Sequence, residues 1–417
     1  MRRVKASGLA RGRYACLCPT SVDYEELGRL ADADTEIVFF GASHDLDELD
    51  FDAVEFADKT IAELDGQYLD GIVISDDPAA LVGAYVAEHL GLPAPSPRSI
   101  FICQDKLRMR RLQRHAIPEA TVPALLYTGD PAARVPLPSF ARPDRGYLSC
   151  HAALVSTMEE LQDLYQQALP FFEVPVHSYN QFARFYGEPE IPPNAMILEP
   201  MLTGEQVTVE GYVSHGIPHI LGVVDSIMVP GTLSFDYFLL PSRLPESVQA
   251  RMGNIASRVM LAAGFDSSLF NVEMFWHPDT DGITVIEVNP RMSPPFASLL
   301  DNVLGVNSFD IALDLAAGRR PAFSGLGKYT VAASYCVRGW GISRVTSVPG
   351  PDQIARLYRE VPDSRLRVLC EEGDLCAESQ QDRWSYRFAQ LNVPARSHAE
   401  LDRLSQLANS IVPFAGR

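Results

Sequence analysis

The segment that decides the fold reads Asn271-Val-Glu-Met-Phe-Trp276, His277-Pro-Asp-Thr-Asp-Gly282, Ile283-Thr-Val-Ile-Glu-Val-Asn-Pro-Arg291. The Asp281-Gly282 pair between two runs of apolar alternation predicts a β-hairpin. Because side chains alternate between the faces of a strand, Glu287 and Asn289 point the same way. Antiparallel pairing can place Glu273 opposite them. Two carboxylates and an amide oxygen would then converge on one spot.

This set of oxygen atoms predicts a magnesium site. Mg²⁺ prefers hard oxygen ligands and usually completes its octahedron with water and substrate phosphates. Arg291, just beyond the second strand, could hold an anion through two parallel hydrogen bonds. The alternative is a hairpin whose polar face meets water. Glu287 lies in a very apolar strand, where an unpaired carboxylate is costly to bury, so the segment favours a metal–nucleotide site.

Glu273 followed by Glu287-Val-Asn-Pro-Arg291 resembles the metal-binding signature of the ATP-grasp superfamily, and the resemblance extends over residues 100–320. It implies that Glu273, Glu287 and Asn289 hold Mg²⁺, with two ions expected and Mn²⁺ as an alternative metal. These ions would bridge the phosphates of ATP. Arg291 would contact the reacting carboxylate or phosphoryl group, so Arg291, Glu287 and Glu273 are the implied catalytic residues.

The resemblance also implies the fold, an α/β (α+β ATP-grasp) architecture in three parts. Residues 1–100 would form an N-terminal parallel α/β domain, since strands alternate with helices there. Residues 101–324 would form the ATP-grasp nucleotide-binding and catalytic region, and residues 325–417 a smaller β-rich C-terminal domain. A chain of 417 residues is long enough for two or three domains.

Several candidate nucleotide ligands lie between residues 101 and 150. Residues 101–117 predict one basic helix, on which Lys106 is implied to reach the ATP phosphates while several neighbouring arginines form a solvated face. Arg142 before Pro143 stands where relatives carry a second phosphate lysine, and guanidinium can also bind phosphate in bidentate fashion. Ser149 belongs to the segment that corresponds to the phosphate-covering loop. That loop could equally be an ordinary turn.

Residues 197–204 resemble the hinge between the ATP-grasp subdomains. Backbone groups from Glu199 to Leu202 would pair with the adenine edge, and Met201 and Leu202 would sandwich its ring. Without this context, Met201 and Leu202 would be interpreted as core residues. In relatives an acid soon after the hinge holds the ribose. The corresponding position here is Gln206, and the adjacent Glu205 is the candidate ribose ligand.

Two further segments complete the predicted substrate side. Glu210 shares a strand face with Gln206 and Thr208, and it is either a cleft residue or a strand-edge acid. Residues 229–243 are bounded by glycine and proline and predict a mobile loop over the site.

Composition limits the function classes. The net charge of 35 − 53 = −18 argues against a nucleic-acid or anionic-membrane partner. The seven scattered cysteines predict no disulfide framework and fit a reducing compartment. Neither a signal peptide nor a transmembrane stretch is recognisable, so we expect a cytoplasmic protein.

The implied function is an ATP-dependent ligase that activates a carboxylate as an acyl phosphate and joins it to an amine. Its partners would be these two small molecules, and a homodimer is compatible with the resemblance. One alternative is a carboxylase that forms carboxyphosphate. The other is a degenerate nucleotide-binding regulatory protein, which Arg142 and the glycine-poor loop would fit.

Overall fold

The computed structural model describes residues 12–32, 34–146, 150–323, 325–376 and 385–417. A parallel sheet of order β2-β1-β3 opens this part of the chain. It consists of β1 (Gly12–Leu17), β2 (Thr35–Phe40) and β3 (Gly71–Val73), which alternate with α1 (Ser21–Leu30), α2 (Ala53–Leu64) and α3 (Ala80–Leu90). The predicted alternation of strands and helices is confirmed, and α3 ends at Gly91 in a left-handed conformation (φ 67°).

The basic segment forms two helices, and the prediction of a single helix is wrong. They are α4 (Pro97–Gln104) and α5 (Lys106–Ala116). Asp105 between them has an extended backbone (φ −96°, ψ 106°), and its carboxylate accepts a hydrogen bond from the Arg108 backbone N at 2.7 Å. An aspartate side chain competes with helical bonding in this way, so it ends one helix and caps the next. Lys106 thereby becomes the first residue of α5.

A small antiparallel sheet of order β4-β7-β5-β6 follows. Its strands are β4 (Leu125–Tyr127), β5 (Ser139–Pro143), β6 (Ala153–Val155) and β7 (Met196–Glu199). Between β6 and β7 lie α6 (Met158–Ala168) and α7 (Glu173–Tyr186). Arg142 of β5 pairs with Ile197 of β7, so the phosphate-clamp candidate and the start of the hinge lie side by side.

The largest sheet has eight antiparallel strands in the order β12-β11-β8-β9-β10-β13-β16-β15. The strands are β8 (Glu205–Ser214), β9 (Ile217–Met228), β10 (Phe235–Leu240), β11 (Ser268–His277), β12 (Gly282–Asn289), β13 (Val331–Trp340), β15 (Arg365–Val368) and β16 (Ser385–Ala395). A separate pair joins β14 (Val345–Ser347) to β17 (Ala415–Gly416). The remaining helices are α8 (Glu246–Ala262), α9 (Ala297–Leu304), α10 (Ser308–Ala316), α11 (Pro351–Glu360) and α12 (His398–Ile411).

The sheet corrects the prediction of a mobile loop at residues 229–243. Phe235–Leu240 is strand β10, which pairs with β9 on one side and β13 on the other. Only Val229–Thr232 forms a turn, closed by a hydrogen bond from Thr232 N to the Val229 carbonyl at 3.1 Å. The glycine and proline signals therefore marked the ends of a short strand. Two neighbouring strands, which the local pattern does not show, hold it in place.

Strands before and after residue 324 belong to this one sheet, since β10 pairs with β13. The region after residue 325 also contains α11 and α12, which the β-rich pattern had not indicated. The boundaries at 100/101 and 324/325 remain predictions from the sequence.

The predicted hairpin forms with Glu273 opposite Glu287 and Asn271 opposite Asn289. The register shifts directly beyond this pair, where Met274 lies opposite Val285 and Ile286 is the extra residue. Such a bulge leaves a backbone group outside the regular ladder. The α/β fold class is confirmed. Buried apolar residues of α3, α8 and β8 belong to one core cluster, which fixes the first sheet against the hairpin.

Candidate active site

A cavity of about 590 Å³ lies where the three main sheets meet. Its wall includes the carboxyl end of the parallel sheet, the start of α5, the small sheet and one face of the eight-stranded sheet. Nine of the residues selected from the sequence line it: Lys106, Arg142, Glu199, Met201, Leu202, Glu273, Glu287, Asn289 and Arg291. Residues that are far apart in sequence thus surround one cavity, and its volume lies in the range of small-molecule binding pockets.

Glu273 and Glu287 face each other across the hairpin. Burial, reinforced by the charge of Glu287, raises the pKa of Glu273 to about 7. Burial would also raise the pKa of Glu287, but Lys106 and Arg142 outweigh it and hold that pKa at about 2. Two neighbouring carboxylates with such different proton affinities form a site that a divalent cation would neutralise.

The donor atoms at this site fit Mg²⁺. In the described part of the chain, no three His, Cys, Asp or Glu residues are grouped as a metal centre. The hairpin supplies two carboxylates and the Asn289 amide, whose Nδ2 lies 3.5 Å from Glu273 Oε1. Mg²⁺ is commonly held by one or two carboxylates together with substrate phosphates and water. A set of this size therefore suits a metal that arrives with a nucleotide.

A chain of hydrogen bonds orients the Asn289 amide. Glu210 accepts hydrogen bonds from the Ser293 backbone N at 2.9 Å and from Asn271 Nδ2 at 3.0 Å. The Asn271 Oδ1 then accepts from Asn289 Nδ2 at 3.0 Å. Because Nδ2 of Asn289 is directed to Asn271, its Oδ1 is left for another partner. Glu210 is 0 % exposed, and burial raises its pKa to about 8, so it is a buried support for the hairpin and no strand-edge acid.

Three cationic side chains surround the carboxylates. Lys106 Nζ lies 3.0 Å from Glu287 Oε1, and Arg142 bridges Glu287 (3.1 Å) and Glu199 (2.9 Å) through its two terminal nitrogens. Arg110 donates from Nε to Glu199 at 2.6 Å. Both arginines also donate to the carbonyl of the bulged Ile286, at 2.7 Å from Arg110 and 3.0 Å from Arg142. The bulge thus serves as an anchor for two guanidinium groups.

Arg291 is fixed by the N-terminal sheet. Its Nε donates to Asp77 at 2.8 Å, and one terminal nitrogen donates to the Met292 carbonyl at 2.9 Å. Asp77 and Asp76 follow β3 directly and line the cavity. Burial raises the pKa of Asp76 to about 6, although the charge of Arg291 opposes the shift. This arrangement leaves part of the guanidinium available at the cavity wall.

The hinge predicted for the adenine ring borders the same cavity. Pro200, Met201 and Leu202 line it, and Met201 is 44 % exposed, which is unusual for a core methionine. Gly204 (φ 132°) then passes so close to the Trp276 backbone that a Cβ would lie 2.2 Å from its carbonyl oxygen. Only glycine allows this approach, which ties the hinge to the hairpin.

Of the two remaining selected residues, one lies away from the cavity and the other is outside the described residues. Glu205 is exposed and does not line it, because strand alternation turns Gln206 and Thr208 toward the cavity instead. The structure thus does not support Glu205 as the ribose ligand. Ser149 lies outside the described residues, whereas Gly146 and Cys150 on either side of it line the cavity.

Sequence reasoning missed Arg110, Asp77 and Asn271. The sequence predicts a solvated face for several arginines of this segment, whereas Arg110 is 2 % exposed. Its position four residues after Lys106 places both on one side of α5, which was an available signal. Asp77 follows a parallel strand, where ligand sites commonly form. Asn271 lies opposite Asn289, and only the observed register reveals that pairing.

Comparison with known proteins agrees with this geometry. Residues 135–297 match the family model described as an ATP-grasp domain. A search of the curated proteins found no match to the sequence. Residues 135–297 are therefore similar to an ATP-grasp domain, in agreement with the resemblance predicted from the sequence.

Solved structures extend the likeness to nearly the whole chain. An L-amino acid ligase from Bacillus licheniformis superimposes with a TM-score of 0.72 at 15% identity, covering 97% of this chain and 98% of that chain. An N5-carboxyaminoimidazole ribonucleotide synthetase in its ADP complex gives 0.68 at 12% identity, covering 96% and 97%. The dimeric biotin carboxylase domain of a Hydrogenobacter thermophilus 2-oxoglutarate carboxylase, with MgADP and bicarbonate, gives 0.65 at 15% identity, covering 97% and 91%. The protein thus has the ATP-grasp fold over nearly its whole length.

None of the helices in the described residues is both long and apolar enough to span a membrane.

Proposed function

We propose that this protein is an ATP-dependent ligase that activates a small carboxylate as an acyl phosphate and joins it to an amine. The observation that carries the proposal is the convergence of Glu273, Glu287 and Asn289 with Lys106 and Arg142 on one cavity. Carboxylate and amide oxygens for a metal, beside fixed cations for phosphates, are what phosphoryl transfer from ATP requires.

Each residue has a role under this proposal. Glu273, Glu287 and the Asn289 Oδ1 would hold two Mg²⁺ ions, for which Mn²⁺ can substitute, and bound metal would stabilise the charge on the phosphates. Lys106 and Arg142 would move from Glu287 toward the phosphates as the metal takes over the charge of that carboxylate. Arg291, held by Asp77, would orient the carboxylate that attacks the γ-phosphoryl group.

The second half-reaction needs no protein nucleophile. The acyl phosphate is already activated, so the amine can attack it directly and release phosphate as the C–N bond forms. The chain must then exclude water, because hydrolysis would waste the intermediate. The three sheets that line the cavity shield part of it from solvent, which supports this role. We propose that the reaction takes place in the cytoplasm. We also propose that the protein is a homodimer.

The test is phosphate release from MgATP by the full chain, in the presence of a panel of carboxylates and amines, with products identified by mass. We expect Glu287→Gln to abolish release, because an amide lacks the charge that binds the metal. The matched control is Glu63→Gln, which changes an exposed glutamate on α2.

Near-normal release by Glu287→Gln would remove the metal assignment and the proposal with it. Release that depends on bicarbonate and not on a carboxylate–amine pair would identify a carboxylase instead.

A further inference from the structure

An aromatic wall forms the middle of the cavity. Phe235, Phe238 and Phe296 all line it, together with Leu233 and Met228. The ring centroids of Phe235 and Phe238 are 4.9 Å apart, and those of Phe238 and Phe296 are 5.0 Å apart. The three rings thus make one continuous apolar surface. None of them contributes to the metal or nucleotide groups described above.

Two of the three rings in this wall are buried in the hydrophobic core. Phe296 and Phe238 are 2 % and 8 % exposed, so the hydrophobic core sets their positions. Phe235 is only partly buried and packs on them from the cavity side. A wall that is fixed from behind can select a ligand by shape, because it does not need to be ordered when the ligand binds.

The wall stands next to the proposed reacting centre. Phe296 follows Arg291 by five residues, and Pro294–Phe296 forms a short 3₁₀ turn with two prolines. The Ser293 backbone N is held by Glu210 at 2.9 Å. Arg291 and the turn that carries Phe296 line the same cavity, so the side chain of a carboxylate bound by Arg291 would have the rings within the same volume.

A second charged cluster lines the same cavity. Glu25 and Glu26 of α1 pair with Arg367 and Arg365 of β15, at 3.3 Å and 3.2 Å, and all four residues line the cavity. The cavity lining thus combines the apolar wall with the hairpin acids and with this ion-pair cluster. A small side chain such as a methyl group would leave the rings in contact with water.

We infer that the carboxylate substrate carries an aromatic or bulky apolar side chain, which packs against Phe235, Phe238 and Phe296. The inference rests on the proposed ligase function, and it concerns the identity of one substrate. Aromatic rings at 4.5–7 Å from other rings gain energy beyond simple area burial, so a phenyl group is the best probe.

The experiment measures binding to the full chain by calorimetry with MgADP present, using L-phenylalanine and L-alanine as matched probes. We expect L-phenylalanine to bind at least about tenfold more tightly, as burial of its ring predicts. Phe235→Ala should weaken L-phenylalanine binding by about five- to twentyfold and leave L-alanine binding unchanged. Phe235→Leu, which keeps apolar bulk, should recover most of the loss.

The control is Phe323→Ala, which removes an exposed ring away from the cavity and should change neither affinity. Equal binding of the two amino acids, or tighter binding of L-alanine, would overturn the inference, as would an unchanged preference in Phe235→Ala.

A separate titration with MgATP tells the two proposals apart. Binding of MgATP without an aromatic preference overturns only the substrate inference. An aromatic preference without MgATP binding overturns the ligase proposal and keeps the apolar subsite.

Discussion

At the residue scale, the central feature is the division of two glutamates between opposite environments. Glu287 is held in the charged form by Lys106 and Arg142, while burial raises the pKa of Glu273. Breaking one member of such a buried network usually costs more than the net contribution of the pair, because a charge is left without a partner. Arg142 connects the two carboxylates Glu199 and Glu287, and it also donates to the Ile286 carbonyl.

We therefore predict that Arg142→Ala weakens MgATP binding by about 1–3 kcal/mol, the usual scale of a charge-assisted hydrogen bond. Arg142→Lys should lie between the variant and the wild type, because lysine restores the charge but cannot bridge two carboxylates. Calorimetric titration with MgATP measures both. If Arg142→Ala bound MgATP like the wild type, the guanidinium would serve only to neutralise Glu199 and Glu287.

The buried Glu210 predicts a pH dependence of stability. Its pKa rises from an ordinary 4.5 to about 8 because of burial. The folded protein thus keeps a proton that the unfolded chain releases, and this contribution is complete below pH 4.5 and is lost as the pH rises through 8. Glu210→Gln should remove the share of the pH dependence that Glu210 contributes, so its melting temperature should gain on the wild type between about pH 5 and pH 8.

The largest slope that one such group can add is about 1.4 kcal/mol per pH unit. Glu63→Gln, at an exposed position on α2, should leave the slope unchanged. Parallel pH profiles for wild type and Glu210→Gln would show that Glu210 is ionised in the folded protein.

At the scale of elements, the break between α4 and α5 positions the phosphate candidate. Asp105 caps α5, and Asp144 accepts a second hydrogen bond from the Leu107 backbone N at 3.3 Å. Two acids therefore hold the first turn of α5, from which Lys106 reaches Glu287. The bulge at Ile286 acts in a comparable way on β12, since its carbonyl receives Arg110 and Arg142.

We predict that Asp105→Ala lowers stability by about 0.5–2 kcal/mol, the usual cost of losing a helix cap, and also weakens MgATP binding. Asp52→Ala is the matched control, because Asp52 caps α2 with hydrogen bonds of 3.0 Å and 2.9 Å far from Lys106. It should lower the melting temperature without changing nucleotide affinity. An equal loss of MgATP binding in both variants would mean that Asp105 acts through general stability alone.

At the scale of the whole molecule, three sheets line one cavity, and polar contacts join these sheets to each other. Arg291, next to the hairpin, forms an ion pair with Asp77, which follows β3 of the parallel sheet. Arg365 and Arg367 of β15 connect the far edge of the large sheet to α1. The first and last parts of the chain are therefore coupled across the cavity, which places N-terminal and C-terminal side chains in a single site.

We predict that Glu26→Ala and Arg365→Ala are coupled by about 0.2–1 kcal/mol in a double-mutant cycle of chemical unfolding. Glu26 is 11 % exposed and Arg365 42 % exposed at the side chain, so the coupling should fall as salt is added. The exposed Arg356–Glu360 pair within α11 is the control and should give less. Strictly additive effects in the first pair would show that α1 and β15 are not held together by this contact.

The hairpin shows how much the sequence by itself determined. The Asp281-Gly282 pair and the strand alternation predicted a hairpin that can place Glu273 opposite Glu287, and the register confirms this pairing. Local patterns also predicted the alternation of strands and helices around the first sheet. These features follow from side-chain periodicity and turn chemistry, which act over a few residues and can be read from a single chain.

The tertiary structure alone decided which distant groups meet. Strand β10 required neighbours on both sides, the role of Arg110 required burial against Glu199, and Arg291 required Asp77 from the first sheet. Asn271 and Glu210 form a support for Asn289 only because three strands align in one register. Such contacts depend on packing between segments separated by many residues, and no local periodicity encodes them. That is why the sequence could indicate the two hairpin acids, whereas the hydrogen bonds and the aromatic wall around them depended on the fold.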